Sequence, residues 1–167
     1  MPEVKITYGT PTTITIDLSS LASSSTFIAG RESTEIDNTT NKYDDAWVEG
    51  TVTVGTTPTA DTSIVIFVWG ANTSLATTAI DVLDGTDSAE TLTNTGILGA
   101  LKVGAIIVNR AATSNVVYNI SPFSVASLFG GIMPRYWGLF AAHNTVAALN
   151  ATNANKFQYI GITYTSA

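Results

Sequence analysis

The chain has 167 residues, 12% of them charged, a net charge of −6 and no cysteine. That length suits one domain with a real core, and the missing cysteine excludes disulfides, thiolate metal centres and a thiol nucleophile. Seven Lys and Arg against thirteen Asp and Glu leave no electrostatic footprint for nucleic acid. Threonine is the commonest residue, and with Val, Ile, Gly and aromatic residues it makes a β composition. Polarity here comes from hydroxyls and amides rather than ions, so the surface repels itself poorly and suits packing against other subunits.

The opening stretch, "MPEVKITYGTP", has neither the basic flank nor the apolar segment of a secretion signal. No apolar run approaches the ~20 residues of a membrane span. Val4–Tyr8 and Thr13–Leu18 alternate apolar with polar and read as short strands, with Pro11 placing them at an edge. Residues 1–17 are therefore expected to form an N-terminal arm or edge strands, and residues 18–167 the main domain. "SSLASSST" reads as a loop or a weak turn of helix around Leu21. Thr26–Asp37 reads as strand, a bend at Gly30, then strand, and "NTTN" as a turn.

Tyr43–Val54 shows the clearest period of two. Ala46, Val48, Gly50, Val52 and Val54 share one face, and Trp47, Glu49, Thr51 and Thr53 the other. One apolar face is the pattern of an antiparallel strand that covers a core on one side; Gly50 predicts a bend or bulge there. "GTTPTAD" then leads into Ile64–Trp69, an unbroken apolar, β-branched and aromatic run bounded by a turn and Gly70. Such a run reads as a central strand buried on both faces. The short link predicts that these two strands form a hairpin.

Ser74–Leu83 reads as extended, and Asp84–Gly96 as a long polar loop. Ile97–Ala112 carries a second apolar run, and a turn at "TSN" predicts a hairpin with Asn115–Ile120. A short helix is expected near 122–129, with Ser121 as cap, Pro122 in its first turn and Gly130 as its stop. Met133–Ala142 and Lys156–Thr165 read as aromatic strands around the turn-rich "HNTVAALNATNAN". Many short strands at even spacing, with little room for crossover helices, predict an all-β antiparallel β-sandwich of jelly-roll type.

Few residues offer chemistry. The single histidine, His143, has no nucleophile or acid at a recognisable spacing and reads as a strand-end residue. Asp81, Asp84, Asp87 and Glu90 do not have the spacing of a calcium loop and read as a solvated acidic stretch. Arg31, Glu32, Glu35 and Asp37, with Lys42, Asp44 and Asp45, form a charged cluster that reads as ion pairs at a loop or subunit contact. Glu32 and Asp45 would be its glycosidase candidates. Arg31 and Arg135 are the best placed by type for bidentate pairing with carboxylates across a contact. Trp47, Trp69, Trp137, Tyr136, Tyr159 and Tyr164 read first as strand packing and second as a sugar-stacking face. The stretch from Phe123 to Phe140 holds more apolar bulk than one short helix and strand bury at home, so part of it is expected to cover a neighbouring subunit. Phosphate-binding, nucleophile-elbow and zinc motifs do not occur.

The segments "ASSSTFIAGRESTEIDNTTNKYDDAWVEGTVTVGTTPTADTSIVIFVWG", "LDGTDSAETLTNTGIL", "PFSVASLFGGIMPRYWGLFAAHNT" and "YIGITYT" resemble a group of small structural proteins of tailed bacteriophages, over Leu18 to Thr165. The group looks like jelly-roll head decoration, or cement, proteins. The resemblance implies a non-enzymatic homotrimer without cofactor or metal. Such a trimer would be made in the host cytoplasm and sit on the outer surface of the virion capsid, clamping the major capsid protein. It carries no functional residues across. Candidate subunit or capsid contacts are Arg31, Glu32, Phe123, Phe129, Arg135 and Tyr136. The alternative is a tail-fibre or receptor-binding module that holds host glycans.

Overall fold

A computed structural model describes residues 3–152 and 155–166. Eleven strands form two antiparallel sheets among these residues: β1 (Val4–Tyr8), β2 (Thr12–Ile14), β3 (Ala29–Glu32), β4 (Ile36–Asp37), β5 (Asp45–Thr53), β6 (Thr62–Ala71), β7 (Ala89–Thr91), β8 (Lys102–Asn109), β9 (Val117–Ser124), β10 (Tyr136–His143) and β11 (Lys156–Ser166). One sheet runs β1-β11-β5-β9, with β2 following β1 along the same edge of β11; the other runs β7-β3-β10-β6-β8, with β4 beside β3 on β10. The all-β sandwich expected from composition and spacing is what the chain adopts.

The run Ile64–Trp69 is the interior strand its sequence predicts. Ile64, Ile66 and Val68 point between the sheets, where they meet Ala46, Val48, Val52, Trp137, Leu139 and Phe157. Val65, Phe67 and Trp69 point the other way, into a second cluster with Phe140, Leu75, Leu83, Leu92 and Leu101. The four leucines belong to the long connection 72–101, which folds over the outside of the second sheet. The molecule therefore has three layers: a sheet, a sheet buried on both faces, and a loop layer. β5 also alternates as expected, with Ala46, Val48 and Val52 fully buried and Trp47 exposed. Its pairing with β11 runs unbroken through Gly50, so β5 has no bulge there; the extra residue in the β5–β9 ladder is on β9, where Ser121 and Pro122 stand opposite Glu49.

Several local expectations are corrected. "GTTPTAD" does not make a hairpin: β5 and β6 lie in different sheets, and the link crosses the sandwich. The turn at "TSN" likewise carries the chain from β8 in one sheet to β9 in the other. Each strand of these pairs presents its apolar face to the opposite sheet, so the short link closes the core rather than a ladder. Ser74–Leu83 is not a strand but a run of turns with one bridge, Ile80 to Leu83. The bend in Thr26–Asp37 falls between β3 and β4, not at Gly30. A side chain at Gly30 would meet the Ala141 carbonyl at 2.4 Å and the Phe140 ring at 2.6 Å, so this glycine serves close packing. "NTTN" is a one-turn helix, α1 (Asn38–Asn41), capped by the Asp37 carboxylate on Thr39 N–H.

The second helix, α2 (Val125–Leu128), begins later than its sequence suggests, with Ser124 rather than Ser121 as cap. Ser121 and Pro122 belong to β9 and form its bulge on the sheet's open edge, where a missing N–H is tolerated. Gly130 and Gly131, both at positive φ, do end the helix, and Gly131 N–H returns to the Ala126 carbonyl at 2.8 Å.

Candidate interaction surface

The charged cluster of β3 works inside the molecule. Arg31 Nε donates to Asp87 Oδ1 at 2.6 Å and its Nη2 to the Asp87 carbonyl at 2.8 Å. Asp87 Oδ1 also accepts Asp17 N–H at 3.1 Å. This pins the loop layer to the sheet. Glu32 is fully buried, which removes it from the expected partner contacts. Its two carboxyl oxygens accept the N–H groups of Asp84 at 3.0 Å and Gly85 at 2.9 Å. These loop amides have no ladder partner, so a carboxylate reaching from the sheet satisfies them. Burial pushes the Glu32 carboxyl up to about 7, against the pull of the two N–H donors. Glu35 fixes the start of the same loop by accepting Leu75 N–H at 2.7 Å.

The other expected contacts divide. Phe123 on the edge strand β9 and Phe129 after α2 are half-buried against the inter-sheet core, and Tyr136 packs on the second cluster. Phe129 lies over Gly70, where an added side chain would touch its ring at 2.8 Å. Arg135 is exposed. Its charge adds to the Thr39 hydrogen bonds that hold the Asp37 carboxyl below its usual range. The stretch Phe123–Phe140 buries most of its bulk at home: Trp137, Leu139 and Phe140 are inside, and among its large apolar residues only Ile132 stands fully out.

His143 closes β10 in a buried position. Nε2 lies 2.9 Å from the Leu21 carbonyl and Nδ1 2.9 Å from Thr145 Oγ1. A carbonyl can only accept, so Nε2 carries the hydrogen. Burial pushes the imidazole pKa down. Asp45 sits in the other sheet from Glu32, and its Oδ1 accepts the N–H groups of Ala46 and Ala126 at 2.7 and 2.9 Å; the two glycosidase candidates do not face one site. Asp81, Asp84 and Asp87 accept hydrogen bonds from their own loop, from Arg31 or from Asp17, so the acidic stretch is a set of turn and loop anchors. Among the described residues, no group of three or more His, Cys, Asp or Glu side chains could hold a metal ion. No described helix is long and apolar enough to cross a membrane.

Of the tryptophans, Trp69 and Trp137 are buried, the latter edge-on to Tyr159 at 5.3 Å. Trp47 stands out on the solvent face of the first sheet. Further along β5, Glu49, Gly50 and Thr51 line a shallow groove of about 390 Å³ with Asn119, Ile120, Lys156 and Gln158.

Val4–Tyr8 is the edge strand that the sequence predicts; what sequence reasoning missed is how bare it stands. β5 covers β11 only as far as Ile162, while β1 continues along it to Ser166. β1 and the end of β11 thus form a two-stranded ribbon beyond the body of the sandwich. All five residues of β1 are exposed, including Val4, Ile6 and Tyr8 at 54–70%, and Tyr164 beside them is exposed too. The alternation of Val4, Ile6 and Tyr8 was the available signal, but alternation alone says which residues share a face, not whether that face is covered. No protein-family profile, curated protein or solved structure matches the chain.

Proposed function

We propose that this is a virion structural protein of a tailed bacteriophage, a decoration protein that binds the outside of the head and the major capsid protein beneath. The observation that carries the reading is the bare, apolar ribbon of β1 and β11 on an ion-poor sandwich braced from inside. A braced body with open strand edges is equipped for adhesion to other chains. The strand orders β1-β11-β5-β9 and β3-β10-β6-β8, each drawing on both ends of the chain, support a jelly-roll built from two Greek keys. Many weak contacts on one shell add by multiplicity. Mixing the purified protein with undecorated heads of the same virus tests this. It should co-sediment with them and raise their melting temperature; heads that pellet without it end the reading.

Exposed Trp47, on the same strand face as Glu49 and Thr51 of the groove, favours a second reading, a glycan-binding module of a tail fibre. A ring stacked on a sugar with amides and a carboxylate alongside is a recurrent recognition geometry. A glycan array should then give a signal that Trp47→Ala abolishes.

A further inference from the structure

Each sheet ends in edges, and soluble proteins block such edges with proline, bulges, charge or brevity. β2 and β7 have three residues each. β9 carries Pro122 at its bulge. β8 slips its register against β6 at Gly104, and beyond that slip 105–109 form a regular edge. That stretch and β1 stay open. β1 presents Val4, Ile6 and Tyr8. β8 presents Val103, Ile106 and Val108, which lie opposite Phe67, Val65 and Ser63 of β6 and so extend the apolar outer face of that sheet to its rim. These six are among the eleven large apolar side chains exposed in the described residues. The two edges lie on opposite flanks, because β8 packs beside β9, at the far end of the first sheet from β1.

We propose that β1 of one copy adds to β8 of a second copy of this chain, head to tail. In an antiparallel register Val4 falls opposite Val108 and Ile6 opposite Ile106, short of the slip at Gly104. The two apolar stripes then lie side by side on one face. The same register carries Glu3 to the end of β8, where exposed Arg110 is held only by a 3.4 Å contact with Asp61. A two-stranded ribbon is marginal in water, and pairing would place β1 between two strands. Because the two surfaces differ, the contact closes into a ring where successive copies turn, rather than a two-fold pair. It is a property of the free protein and stands or falls separately from head binding.

Light scattering on the free protein tests it. The native chain should run as an oligomer. Ile6→Lys, which spoils β1, and Ile106→Lys, which spoils β8, should each drop to the 17.5 kDa of one chain. An equal mixture of the two should recover a one-to-one dimer, since each variant keeps the edge the other has lost. Both positions are exposed, so native thermal melts should persist; Val4→Lys and Val108→Lys serve as a second pair. A monomeric native protein overturns the proposal. So does an Ile106→Lys variant that stays oligomeric, which would mean that β1 pairs with itself, or a mixture that stays monomeric.

Discussion

Glu32 and His143 are buried ionisable groups that tilt the stability curve in opposite directions. A carboxyl raised to about 7 binds its proton more tightly folded than unfolded. Its stabilisation is complete below the ordinary value of 4.5 and is lost as pH rises through 7, about 3 kcal/mol in full. Glu32→Gln cannot ionise, so its urea midpoint should lack the decline that the native chain shows between pH 5 and pH 8; parallel curves would refute the assignment. His143 has the reverse sign. Its lowered pKa means that the folded state refuses a proton the unfolded chain accepts, so its stabilisation is complete above 6.5 and is lost as pH falls below that. Its ring resonances should stay flat through pH 6.5 in NMR spectra of the folded protein. That His143 is structural was legible from its lack of partners. That Glu32 is interior was not: it looks like surface charge, and the loop that covers it lies some fifty residues further along the chain.

At the scale of the element, β6 makes the sharpest demand. A strand that faces solvent tolerates truncation on one side, whereas this one has none to spare. Ile66→Ala should cost about 2–5 kcal/mol in the inter-sheet core and Phe67→Ala about 3–5 kcal/mol under the loop layer. Trp47→Ala on the exposed face of β5 should stay within about 0.5 kcal/mol. Chemical denaturation of the three variants measures all of this. Double-faced burial was readable because six consecutive apolar residues leave no polar side to turn outward. The partner on each side was not readable, and neither were the fates of "GTTPTAD" and "TSN". A short turn brings two strand ends close in either arrangement, ladder or crossing, and only the position of the other sheet selects between them.

For the whole molecule, the first and last strands meet: Val4 pairs with Ser166 and Tyr8 with Ile162. Their contributions are unequal. β11 lies inside the first sheet between β5 and the β1–β2 edge, with Phe157, Tyr159 and Ile162 buried, whereas β1 buries nothing within one chain. Deleting residues 1–8 should lower the melting temperature by only a few degrees. Deleting residues 156–167 should abolish cooperative melting, as followed by circular dichroism.

The sequence by itself determined the β architecture and the strand covered on both faces, because composition and period are local and a buried face must be apolar wherever it lies. The tertiary structure alone decided that the chain crosses between sheets twice where hairpins looked natural, that the loop 72–101 roofs the second sheet, and that Val4, Ile6 and Tyr8 are bare. Each of these depends on what stands across a gap from a residue, and that neighbour comes from a distant part of the chain.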